Sequence, residues 1–180
     1  MSTITAGLFI TLDGIIGAPE KWNPPYYDDE LGQAVLPQLT AADVHLYGRR
    51  SYELFRAVFT GPGAPPHAEM MTSTPKVVVS STLADPGWGP TTLITGDVLA
   101  GLIRLRQQAG GTVHICASGS LVRLLLQEAL LDELRLLVHP VAVGTGAHLY
   151  QGGDRKIPLR LTECRPHRNG VVALRYTRPA

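Results

Sequence analysis

Two rhythms of apolar positions alternate along the chain. Ile4 to Leu12 is an apolar run rich in Ile, Thr and Phe, which reads as a buried strand closed by Asp13-Gly14. Ile15 to Tyr27 carries three prolines and reads as a loop. Asp28-Asp29-Glu30 then makes an acidic first turn, with Leu31, Val35, Leu36 and Leu39 following at helical spacing. Val44 to Tyr47 is a short strand broken by Gly48. Ser51 to Phe59 is a helix with Tyr52, Leu54, Phe55 and Val58 apolar. Lys76 to Ser80 and Thr91 to Thr95 are strands. Asp97 is placed to cap a helix carrying Val98, Leu99, Leu102, Ile103 and Leu105. Val113 to Ala117 is a strand, and Ser120 is placed to cap a helix with Leu121, Leu124, Leu125 and Leu126. Leu134 to Val143 reads as a long strand interrupted by Pro140. Pro158 to Cys164 and Val171 to Thr177 flank the turn signal Arg168-Asn169-Gly170.

The order of elements is β-α-β-α-β-β-α-β-α-β-β-β. Strands alternating with helices predict a mostly parallel sheet of about eight strands with helices on both faces. The closing hairpin adds antiparallel strands at one edge. The loop from Gly61 to Pro66 is too short to separate domains, so residues 1–180 are expected to form one domain.

Composition narrows the function classes. The net charge is +1, so no global basic field favours nucleic acid or an anionic membrane. No apolar stretch reaches ~18 residues, and the first 14 residues lack the basic segment of a signal peptide, so a cytoplasmic protein is expected. Cys116 and Cys164 have no zinc spacing and lie in apolar runs; they read as two reduced, buried thiols. No histidine pair has metal-helix spacing, and Walker A, Gly-x-Gly-x-x-Gly and Gly-x-Ser-x-Gly sequences are missing.

Chemistry is expected where strands hand over to helices. Gly48-Arg49-Arg50 and Ser118-Gly119-Ser120 both stand at such junctions. Ligand crevices of open α/β sheets lie beyond the carboxyl ends of the strands. Helix N-termini there present free N–H groups to phosphates. Two such ends and two arginines could hold a dinucleotide; equally, the glycines could only turn the chain and the arginines be solvated.

Taken in order, Thr11-Leu12-Asp13-Gly14, Leu46 to Glu53 (LYGRRSYE), Val78 to Leu83 (VVSSTL), Ser118-Gly119-Ser120-Leu121 and Pro140 to Gly146 (PVAVGTG) resemble the dihydrofolate reductase-like family. The resemblance is to its branch of riboflavin-biosynthesis reductase domains, and it spans about Ile4 to Tyr176. It implies an NADPH-dependent reductase of a small heterocycle, similar to 5-amino-6-(5-phosphoribosylamino)uracil reductase or dihydrofolate reductase, and a homodimer. The alternative is a non-catalytic protein that binds a nucleotide or small molecule on the same fold. By similarity, Gly48, Arg49, Arg50 and Ser51 would meet the cofactor pyrophosphate. Ser80, Ser81 and Thr82 would lie near the adenosine ribose, and Gly119, Ser120 and Leu121 would form a second phosphate turn. The family often carries an arginine where Ser81 stands and a fuller glycine run where Ala117-Ser118-Gly119 stands.

A reductase of this kind supplies orientation and a proton beside the cofactor's hydride. Asp13 is the first candidate for acid or substrate contact, and an Asp-Gly turn is its other reading. Asp28, Asp29 and Glu30 open the next helix near where the resemblance implies a substrate-binding acid, with Asp28 the candidate; helix capping and dipole pairing are their other reading. Trp22 and Tyr26 could stack on a flat ring or simply pack. Leu134 to Val138 reads either as core strand or as part of a subunit contact.

Overall fold

The structure, a computed structural model, describes residues 1–108, 110–150 and 156–179. Eight strands form one sheet: β1 (Thr3–Thr11), β2 (Val44–Gly48), β3 (Lys76–Val79), β4 (Thr91–Ile94), β5 (Thr112–Cys116), β6 (Glu133–His139), β7 (Arg160–Pro166) and β8 (Val172–Thr177). Their spatial order is β4-β3-β2-β5-β1-β6-β8-β7. The first six are mutually parallel, and β8 runs antiparallel to both β6 and β7. The helices are α1 (Asp29–Thr40), α2 (Arg49–Thr60), α3 (Ala68–Ser73), α4 (Val98–Gln107) and α5 (Gly119–Gln127).

Strand β1 shows why the sheet is covered on both faces. Ile4, Ala6, Leu8 and Ile10 point one way and pack with Leu102 and Leu105 of α4 and Leu121, Val122 and Leu125 of α5. Side chains alternate along a strand, so Thr5, Gly7, Phe9 and Thr11 point the other way, toward α1. There Leu31, Leu137 and Val171 form one cluster with Phe9 and Val35 against it. Leu39, Tyr47, Tyr52, Phe59, Met71, Val78, Trp88 and Cys116 form another under α1, α2 and α3. The second face is the polar one, since Thr5, His45 and His114 also stand on it in adjacent strands.

The expected alternation of elements is the observed one, with one addition and several shifts. The short α3, which buries Met71, carries too few apolar positions to show a period. Strand β6 ends at His139, four residues early, because Pro140 has no N–H to give the ladder. Strand β7 begins at Arg160 rather than Pro158. Leu134 to Val138 belong to an interior strand paired on both edges. Cys116 is buried as expected, but Cys164 is exposed, because β7 is the sheet's edge.

Asp97 caps α4 as expected, accepting a bond from the Ala100 N–H at 3.0 Å. Asp97→Ala should therefore lower stability by about 1 kcal/mol, read as a shift in the urea midpoint. The cap expected at Ser120 is not formed. Helix α5 begins at Gly119, and Ser118, at its N-cap position, turns its hydroxyl to the Gly48 N–H at 3.2 Å instead.

Candidate functional site

A cleft of about 930 Å³ opens on the α1–α2 face, over the carboxyl ends of β2 and β5. Its walls are α1 (Val35, Gln38, Leu39), the start of α2 (Arg49 to Ser51, with Leu54 and Phe55), the Ala117 to Leu121 turn and the Ile16 to Glu20 loop. Gly7, Phe9, His114, Cys116, Arg135 and Leu137 form its floor.

The helix ends set its electrostatics. Helices α1 and α4 carry aspartate caps whose carboxylates take the first-turn N–H groups. Helices α2 and α5, whose N-termini line the cleft, have no side-chain cap. Their N–H groups and positive dipole ends therefore stay available to an anion. The two ends are joined. Ser118 Oγ accepts from the Gly48 N–H, and Ser51 Oγ donates to the Ala117 carbonyl at 2.9 Å. A Cβ on Gly48 would stand 2.7 Å from Ser118 Oγ, and one on Gly119 would strike Ile16 Cδ1. Ala117 holds a left-handed backbone, φ 50°, which costs roughly 1 kcal/mol and persists because its neighbours tie down the turn.

Seven of the residues expected to meet a cofactor line this cleft: Gly48, Arg49, Arg50, Ser51, Gly119, Ser120 and Leu121. Arg49 is anchored, its Nε on Glu53 at 2.8 Å and a terminal nitrogen on Thr82 Oγ1 at 2.7 Å. Arg50 is exposed at the mouth. Ser80, Ser81 and Thr82 do not line the cleft, although Val79 just before them does. Ser80 Oγ is spent on the N–H groups of Thr82 and Leu83, and Thr82 touches the site only through Arg49.

The four residues expected to act on substrate sit elsewhere. Asp13 is outside the cleft. Its carboxylate accepts from Thr11 Oγ1 at 2.5 Å and from the Gly144 N–H at 2.6 Å and the Val143 N–H at 3.1 Å. These bonds, the Thr11 one foremost, hold it at about 2. A carboxyl that acid carries no proton to donate near neutrality, so the general-acid reading is corrected to a structural turn. Asp28 is the N-cap of α1, accepting from Leu31 N–H at 2.8 Å, and also takes a bond from Asn169. Trp22 is buried, donates to the Gly17 carbonyl at 3.0 Å and packs edge-on against His139. Tyr26 packs against the same imidazole. Both aromatic residues hold the loop that walls the cleft instead of facing a ligand.

Because Asp13 titrates below an ordinary carboxyl, its contribution to stability is present above about pH 4 and fades as the pH falls toward 2. Asp13→Asn should lower the melting temperature at pH 7 and remove that acid-side decline. Urea midpoints from pH 2.5 to 7 check it.

The wall residue Gln38 and the floor residues His114 and Arg135 escape sequence reasoning. They are single polar residues in apolar runs, with no motif around them. The one available signal is Gly7 in the middle of a strand otherwise rich in side chains that favour strands. Cys116 also lines the cleft, but burial pushes its thiol up to about 12, so it is no nucleophile at neutral pH. Among the described residues no cluster of three or more His, Cys, Asp or Glu could hold a metal ion. No helix among them is long and apolar enough to cross a membrane.

Fold and cleft together define an open α/β domain of the dihydrofolate reductase-like kind, with its cleft at the carboxyl ends of the strands. More narrowly, the chain belongs to the RibD C-terminal domain family, whose model matches residues 2–173. The family is one of reductase domains. The chain is similar to a putative riboflavin biosynthesis protein from Shewanella sp. PV-4, with TM-score 0.80 and 17% identity, covering 99% of each chain. It is similar to a diaminohydroxyphosphoribosylaminopyrimidine deaminase/5-amino-6-(5-phosphoribosylamino)uracil reductase of Thermotoga maritima, with TM-score 0.72 and 13% identity. There it covers 99% of its own length and 57% of that chain. In sequence it is 27% identical over 179 residues to the uncharacterized protein YyaP of Bacillus subtilis (strain 168), covering 96% of this chain and 93% of that one.

Proposed function

We propose that the protein is an NADPH-dependent reductase of a small heterocycle, related in chemistry to ribosylaminouracil and pterin reductases. The observation that carries this reading is the pair of uncapped helix N-termini, α2 and α5, facing one cleft beside Arg49 and Arg50. Two positive ends held together by Ser118 and Ser51 suit a pyrophosphate, and the glycines at 48 and 119 leave room for Ser118 Oγ and the Ile16 side chain, which pack the two turns together. The volume is within the ~300–1,000 Å³ of small-molecule and cofactor sites. NADPH, when bound, supplies a hydride.

The chain's own residues bind and orient. The N–H groups of Arg49 to Ser51 and of Gly119 to Leu121 would meet phosphate oxygens, and the Arg50 guanidinium would add charge. Leu39, Leu54, Phe55 and Leu121 wall the cleft with apolar surface that limits water at the reacting ring. With Asp13 withdrawn into its turn, Glu20 is the carboxyl on the cleft wall. That same withdrawal favours a second reading, binding without turnover.

Titration with NADPH, followed by fluorescence and melting temperature, tests the proposal. Ligand at about 100 times its dissociation constant adds roughly 2.7 kcal/mol, which is on the order of 5–10 °C for a chain of this size. No shift at millimolar NADPH or NADH overturns both readings as dinucleotide binders. A shift without NADPH oxidation across a panel of pterins and ribosylated pyrimidines supports binding alone.

A further inference from the structure

The floor of the cleft contains a glycine whose missing side chain makes room for another residue. Gly7 lies inside β1, paired to Cys116 of β5 on one side and Arg135 of β6 on the other. Its backbone needs no glycine conformation, since it is not among the positive-φ residues. Glycine inside a strand weakens it by roughly 0.5–1 kcal/mol. What the missing side chain provides is space: a Cβ there would strike Gln38 Oε1 and stand 3.5 Å from His114 Cε1.

Gln38 Oε1 fills that space, His114 stands beside it, and Arg135, paired with Gly7 from β6, lines the same cleft. Gln38 donates its Nε2 to the Ala34 carbonyl at 3.0 Å, one helical turn back, which fixes the carboxamide and leaves Oε1 over Gly7. Arg135 Nε is bound to Glu133 at 2.5 Å, leaving the two terminal nitrogens of its fork. His114 Nδ1 is bonded to Thr5 Oγ1 at 2.9 Å, and His114 is buried. Phe9, Val35 and Leu137 supply apolar surface around them.

We infer that Gln38, Arg135 and His114 form a recognition notch beside Gly7 that reads the polar edge of a planar heterocycle, with Gln38 Oε1 accepting a ring N–H and Arg135 donating to the neighbouring ring carbonyl. The inference rests on the reductase reading for the identity of the site. It adds the residues that select the ring: a lactam edge, N–H beside C=O, satisfies both partners at once. A ring with that nitrogen alkylated leaves Oε1 unpaired and brings a methyl group against it.

The test uses the full chain with two fluorescent probes, lumazine and 1,3-dimethyllumazine, titrated at pH 6.5 with and without NADP⁺. The parent is expected to bind lumazine at least tenfold tighter than its dimethylated analogue. Gln38→Leu should abolish that preference while leaving NADP⁺ affinity and melting temperature near parental, because Gln38 bonds only to its own helix. Gly7→Ala should weaken lumazine in the same way by displacing the carboxamide. Failure of lumazine to bind the folded parent, equal affinities for the two probes, or a preference surviving in Gln38→Leu would overturn the inference. Lumazine selectivity without NADP⁺ binding would uphold the notch and sink the reductase reading, so the two fail separately.

Discussion

Replacing Arg49 and Arg50 together by alanine is expected to weaken NADPH binding by a factor of about 10²–10⁴ without unfolding the protein. Each charge-assisted contact to a phosphate is worth roughly 1.5–3 kcal/mol, and 1.4 kcal/mol is tenfold in affinity. The two arginines are not equal. Arg49 is already held by Glu53 and by Thr82, so part of its charge is compensated before any ligand arrives. Arg50, exposed at the mouth, should account for the larger share. Both lie on the exposed side of α2, whose buried anchors are Tyr52 and Phe59, so the helix stays packed. Single and double variants titrated with NADPH at two salt concentrations provide the check, with circular dichroism to confirm the fold. Affinity unchanged in Arg50→Ala and in the double variant would place the pyrophosphate away from α2.

That prediction was readable from the sequence because its cause is local. A glycine at the end of a strand, followed by arginines opening a helix, is one contiguous signal, and Gly48 to Ser51 fall where it points. The same holds for the turn at Gly119. The strand order within the sheet and the exposed edge at β7 were not readable, since pairing is decided by contacts far apart in sequence. Cys164 shows the difference, an apolar-looking run that turns out to be the sheet's margin. The acids were ambiguous for another reason. Asp13 at a strand's carboxyl end is the right residue type near the right place, but Val143 and Gly144, some 130 residues away, decide that its oxygens are spent. For Trp22 and Tyr26 the choice between stacking on a ligand and packing stays open in the sequence, because a loop does not reveal His139 as their partner. Gln38 and Arg135 are the converse. Their neighbours in sequence are ordinary helix and strand residues, and only the fold brings them to Gly7.

The polar face of the sheet has a further consequence, an acid lability that begins near neutrality. His114 is buried between Thr5 on β1 and His45 on β2, and burial foremost, with the charges of His45 and Arg135 adding to it, lowers its imidazole to about 3. His45 is buried too, donating Nε2 to the Leu39 carbonyl at 3.0 Å, and is likewise held below 6.5 by burial, with Lys76 opposing its charge. In the unfolded chain both imidazoles take up protons near 6.5. The unfolded state therefore binds more protons than the native state at every pH between 6.5 and about 3, and stability must fall as the pH falls through that window. A difference of three to four units at His114 alone corresponds to on the order of 4 kcal/mol, a large part of the ~5–15 kcal/mol that holds a typical domain folded. Urea midpoints measured every half unit from pH 7.5 to 4 should decline steadily from about 6.5, before Asp13 begins to titrate. His114→Gln keeps a polar group beside Thr5 and removes the titration, so its midpoint should be lower at pH 7.5 and its decline shallower. A variant declining as steeply as the parent would show that the acid lability arises elsewhere, with His45 the next position to replace.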